Sequence, residues 1–138
     1  MTKSSSLPRM HRPAGIWIST VYAGLVFGLL PIFYLLQNLL LPSRTTFEIL
    51  PALVTPLLII LSACLVWAGR EDARFWFLVI LTLYAYATGI AIAVLLRSGF
   101  VPQPYQLPIL GLAIHNLIIP PIYYVYFTRQ KAFFQREE

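Results

Sequence analysis

The stretch Trp67-Ala68-Gly69-Arg70-Glu71-Asp72-Ala73-Arg74-Phe75-Trp76 decides the fold. Its charged residues, Arg70, Glu71, Asp72 and Arg74, interrupt sequence that is otherwise apolar on either side for the length of a membrane span, about 20 residues. Gly69, directly after an apolar run, reads as a helix stop, because a residue without Cβ enters the left-handed conformation at no steric cost. The short charged segment Arg70 to Arg74 leaves room only for a tight turn, so the two flanking runs form an antiparallel helical hairpin. Asp72 is placed to cap the second helix of that hairpin, with its negative charge at the positive end of the helix dipole.

Outward from the hairpin the pattern repeats. The 138 residues are 59% hydrophobic and 11% charged, whereas soluble domains are about a quarter charged. An ordinary water-soluble domain is excluded. The expectation is an all-α polytopic membrane protein, a single domain over residues 1–138 with four transmembrane helices at about 15–41, 47–68, 73–96 and 109–127. The tails and loops between these spans are too short to bury a core, so no soluble catalytic domain is expected.

The first run, Gly15 to Leu41, is 27 residues long, against about 7 to 15 for a cleavable signal sequence, and reads as a retained signal anchor. At about 1.5 Å per residue it exceeds a hydrocarbon core of about 30 Å, so it must tilt, kink at Pro31 or protrude. Before the second run, Thr45-Thr46-Phe47-Glu48 has the form of a capping box, while Pro51 argues for a later start. Pro56 is expected to bend that helix. Pro102, Pro104, Pro108 and Gly99 make an extended, irregular loop the expectation for Arg97 to Pro108, and Pro120-Pro121 should distort the fourth helix.

Orientation follows from the basic residues. Lys3, Arg9, Arg12, Arg70, Arg74, Arg129, Lys131 and Arg136 lie on one side of the expected topology, and only Arg44 and Arg97 on the other. Both termini are therefore expected in the cytoplasm, in a bacterial plasma membrane. Trp17, Trp67 and Trp76 all fall near the same boundary, where the amphipathic indole prefers to sit.

The chemistry-bearing residues exclude several functions. Cys64 is the single cysteine, so there is no disulfide, no redox pair and no multi-thiolate metal site within the chain. All five acids lie in the C-terminal tail, at positions 71 and 72, or at the interface as Glu48. Proton-coupled export through an embedded carboxylate, as in small multidrug exporters, is disfavoured, and so are a di-metal site and acid–base hydrolysis. No catalytic residue, metal ligand set or cofactor is expected. The basic, aromatic tail from Phe127 to Arg136 is too short for nucleic acid and reads as a membrane-surface segment, with Phe133 and Phe134 dipping into the interface.

Two sets of residues stand out. Gln37, Asn38, Thr55, Thr88, His115 and Asn116 all fall in the outer half of the membrane, where they form either a polar ligand pocket or hydrogen-bonding contacts between helices. His115 is the one imidazole within a span; a haem held by two imidazoles would need a second, and His11 lies in the tail. Thr20, Gly24 and Gly28 recur every four residues, as do Ala85, Gly89 and Ala93. That spacing puts each trio on one helix face, where small side chains let another backbone come close.

The opening Arg12-Pro13-Ala14-Gly15-Ile16 and the closing Tyr126-Phe127-Thr128-Arg129-Gln130-Lys131-Ala132-Phe133-Phe134 resemble the ends of small uncharacterised bacterial four-helix integral membrane proteins. The resemblance implies the architecture and no activity or site. The functional expectation is a small accessory or assembly subunit of a larger membrane complex, or a homo-oligomeric helix bundle, without catalysis of its own. The expected partners are membrane lipids and another membrane protein or a second copy, with no nucleic acid. The alternative is a small solute or lipid transporter using the outer-half polar residues.

Overall fold

A computed structural model of the chain describes residues 13–39 and 46–134, giving for residues 38, 39, 46–51, 132 and 133 the backbone alone. Every element among the described residues is helical: α1 (Ala14–Ala23), a π-helical segment (Gly24–Leu29), α2 (Leu30–Leu39), α3 (Thr46–Trp67), α4 (Glu71–Arg97), α5 (Gln103–Arg129) and the short α6 (Lys131–Phe134). Three stretches are long and apolar enough to cross a membrane, namely Ala14–Gln37, Glu71–Arg97 and Gln103–Arg129, and Ala52–Trp67 is a shorter apolar helix. Large apolar side chains such as Phe33, Leu83, Val94 and Leu107 stand exposed along these helices. Water does not tolerate such a surface and lipid does. The chain is an integral membrane protein.

The first span runs continuously from α1 through the π segment into α2. The π segment ends just before Pro31, which has no N–H and whose ring presses on the carbonyl four residues back, that of Phe27. Widening the turn relieves this: Leu30 N–H donates to Leu25 O, five residues back instead of four. Pro31 therefore acts through a wide turn on its N-terminal side.

The α3–α4 hairpin forms at the expected turn. Gly69 is left-handed, with φ 91°; its N–H donates to Val66 O at 3.0 Å and Arg70 N–H to Leu65 O at 3.4 Å. This is the Schellman arrangement, which satisfies carbonyls that the helix end leaves open. Asp72 does not cap α4. Arg70 is the N-cap, without a side-chain cap bond, and Glu71 and Asp72 both lie in the first turn, where their charge still meets the helix dipole.

The fourth helix departs most from expectation, since α5 begins at Gln103. Pro104 stands in the first turn, where a missing N–H costs nothing, and Gln106 Nε2 donates to Val101 O at 3.0 Å to tie the start down. Pro108, Pro120 and Pro121 are contained within the helix. The irregular segment is reduced to the few residues around Gly99, itself left-handed at φ 76°. The capping box at Thr45 lies outside the described residues.

Helix α4 packs between α3 and α5, and α3 packs against the whole first span. The buried core runs through Ile16, Ala23 and Phe27 of the first span, Ile59, Ala63 and Val66 of α3, Phe77, Leu81 and Ala85 of α4, and Tyr123 and Phe127 of α5. At the end bearing the Gly69 turn, Phe134 of α6 folds back into this core rather than outward to lipid. Arg74 lies over its ring, 5.2 Å from the centroid, and also donates to Phe127 O at 3.4 Å and pairs with Glu71 at 3.3 Å. A single guanidinium thereby ties α4 to α5 and α6 at this end.

Candidate functional site

Successive residues on a helix point about 100° apart, so His115 and Asn116 on α5 address different neighbours. Asn116 is buried and faces α4: its Nδ2 donates to Thr88 Oγ1 at 2.9 Å. Thr88 in turn donates to carbonyls of its own helix, Tyr84 O at 2.8 Å and Ala85 O at 3.0 Å. Gly89 lies opposite Asn116, with room for a methyl group and no more. A Cβ at residue 89 would stand 3.4 Å from Asn116 Cβ and 3.5 Å from Ala113 O.

His115 faces the first span. Its Nδ1 meets Asn116 Oδ1 at 3.0 Å, and its Nε2 is hydrogen-bonded by the Tyr22 hydroxyl. Phe27 stacks on the imidazole at 5.7 Å between centroids and 18° between planes, and the Tyr22 ring lies 5.9 Å away at 55°. Residues five apart on a regular α-helix diverge by about 140°. The π segment reduces that divergence, which is how Tyr22 and Phe27 both reach one imidazole.

The amide of Asn116 sets the direction of the bonds it makes. An amide oxygen can only accept, so Nδ1 donates to Asn116 Oδ1, and in that tautomer Nε2 accepts from the Tyr22 hydroxyl. The donors then run in one direction, from Tyr22 to His115, to Asn116, to Thr88 and into a backbone carbonyl. Three helices are joined at one level. Among the described residues, every buried side-chain nitrogen and oxygen has a partner, and no three of His, Cys, Asp and Glu come together as a metal site.

No family model, curated protein or solved structure matches the chain. The site is therefore read on its own chemistry.

Of the outer-half polar residues, the structure brings together Thr88, His115 and Asn116. Gln37 is exposed on α2 and Thr55 is half-buried on α3, and neither belongs to the hydrogen-bonded network. The side chain of Asn38 lies outside the described residues. Tyr22 and Phe27 are the members that sequence reasoning missed. The signal that could have found them was Pro31, four residues beyond Phe27, which forces the wide turn.

The two small-residue trios are each divided. A Cβ on Gly28 would meet Ile60 Cγ1 at 2.5 Å, so α3 packs directly on this glycine, and Thr20 is buried. Gly24 has nothing within 4 Å and opens into an apolar groove between the first span and α3, with Trp17 and Trp67 among its lining residues. On α4, Ala85 is fully buried and Gly89 is buried against Ala113, Asn116 and Leu117 of α5, whereas Ala93 is exposed.

Proposed function

We propose that the chain is a four-span membrane helix bundle with both ends in the cytoplasm, acting as an accessory subunit that binds another membrane protein laterally and performs no catalysis of its own. The observation that carries this reading is the closure of the hydrogen-bond network. Tyr22, His115, Asn116 and Thr88 satisfy one another and end on a backbone carbonyl. A solute pathway needs polar groups free to exchange their partners for the solute; here such exchange would break a contact joining three helices. What the bundle offers its surroundings is apolar helix surface, suited to lipid and to packing against other membrane helices.

Four spans rather than three follow if the polar start of α3 completes the crossing that Ala52–Trp67 begins. The excess of basic residues at the tails and the Gly69 turn supports both termini inside. Reporter fusions at residues 44, 72, 100 and 138 should alternate outside, inside, outside, inside. For the accessory role, photo-crosslinkers at exposed Leu29, Leu83 and Leu117 in native membranes should capture one membrane protein at fixed stoichiometry, confirmed by mass spectrometry after mild solubilisation. A monomer that moves a solute into vesicles, and stops doing so as Asn116→Ala, would overturn the proposal.

A further inference from the structure

The turn that closes the α3–α4 hairpin carries two cations and two anions, and they are used differently. Arg74 and Glu71 pair with each other at 3.3 Å, the one ion pair among the described residues. Arg70 and Asp72 are both exposed and pair neither with each other nor with another described residue. Both stand at the end of a groove between α3 and α4 whose walls are apolar, with Leu61 and Leu65 on one side and Ile80 on the other, and Trp76 beside the two charges.

We propose that this groove is a binding site for a phospholipid with a zwitterionic, primary-ammonium headgroup, phosphatidylethanolamine. A cation and an anion two residues apart, neither paired among the described residues, match a headgroup carrying a phosphate and an ammonium in succession. The Arg70 guanidinium takes the phosphate with its planar fork of donors. The Asp72 carboxylate accepts a hydrogen bond from the ammonium, which a quaternary choline cannot donate, and repels a headgroup that bears only negative charge. Trp76 sits where an indole meets the glycerol and ester region, and an acyl chain lies along Leu61, Leu65 and Ile80. The site uses none of the residues of the hydrogen-bond network and stands whether or not the protein has a subunit partner.

The test is native mass spectrometry of the full chain in mild detergent. It would be titrated with phosphatidylethanolamine, phosphatidylcholine and phosphatidylglycerol of identical acyl chains. The wild type should retain phosphatidylethanolamine about fivefold better than either other lipid, the ratio expected of one partly exposed charge contact. Asp72→Asn should reduce phosphatidylethanolamine to the level of phosphatidylcholine, Asp72→Glu should restore the preference, and Arg70→Gln should weaken all three lipids. Equal retention of the three headgroups by the wild type would overturn the proposal, as would a preference for phosphatidylglycerol or one that survives Asp72→Asn. The headgroup series on unmodified protein decides the matter even if a variant fails to fold.

Discussion

Helix α5 is held by α4 on one side and by the first span on the other, and around the hydrogen-bond network the two contacts are built from opposite kinds of residue. Toward α4 the side chains at this level are small, Ala85, Gly89 and Ala113, with Ala113 O 3.5 Å from where a Cβ of residue 89 would stand, while nearer the Gly69 end Phe77 packs on Tyr123 and Phe127. Toward the first span the gap is bridged by long aromatic side chains. Tyr22 reaches His115, Tyr123 donates to Ser19 O at 2.7 Å, and Tyr126 lies over Gly15. In lipid there is little hydrophobic gain in bringing two helices together, so packing and hydrogen bonds decide which approach is favoured. The first contact uses close packing with no room beyond a methyl group at Gly89; the second uses hydrogen bonds and depends on a few polar atoms.

The largest test of this contrast is Gly89→Leu, which forces α4 from α5 and pushes Asn116 away from Thr88. Overpacking of this kind should cost about 3 kcal/mol, seen as a lower midpoint in detergent denaturation; an unchanged midpoint would remove the close-packing half of the comparison. Next comes a pair on the first span. Gly28→Leu meets Ile60 and should cost about 1–3 kcal/mol, whereas Gly24→Leu projects into the open groove and should stay within about 0.5 kcal/mol. If the two glycines respond alike, Gly28 is not packed against α3 while Gly24 faces open space.

Smaller effects belong to the hydrogen-bonded side. Asn116→Ala removes the link between His115 and Thr88, two bonds of about 0.6 kcal/mol each in membrane proteins, for a loss of about 1 kcal/mol. Tyr22→Phe keeps the ring and removes one donor, so about 0.6 kcal/mol is expected. Its double-mutant cycle with His115→Gln should show coupling of the same size, and additive losses would mean that the two side chains do not interact. His115→Gln by itself should leave association with a membrane partner unchanged.

The hairpin was legible in the sequence because its signals are local. Gly69 takes the left-handed conformation and the apolar runs stop at the charges, so the turn forms where composition places it. The start of α5 was not legible, because prolines at 102, 104 and 108 read as a loop breaker in any window. In the structure the first-turn position of Pro104 and the Gln106 bond to Val101 O accommodate the helix beginning. Asp72 shows the same limit at finer scale: its type suits an N-cap, but the Schellman closure at Gly69 and Arg70 starts α4 earlier and leaves the carboxylate outward.

By itself the sequence determined that the chain is helical, apolar and membrane-embedded, since length, hydrophobic run and turn chemistry are properties of neighbouring residues. Only the tertiary structure decided which polar residues meet. Gln37, Thr55, Thr88, His115 and Asn116 share a depth in the sequence reading, yet depth does not specify the direction in which each side chain points. That direction depends on helix rotation, and here Gly89 sets how near α5 lies to α4 while the wide turn before Pro31 sets which face of the first span meets α5. The physical reason is that Tyr22 and His115 are separated by 93 positions, and a hydrogen bond between them needs two helices rotated to the same angle, which no local pattern records.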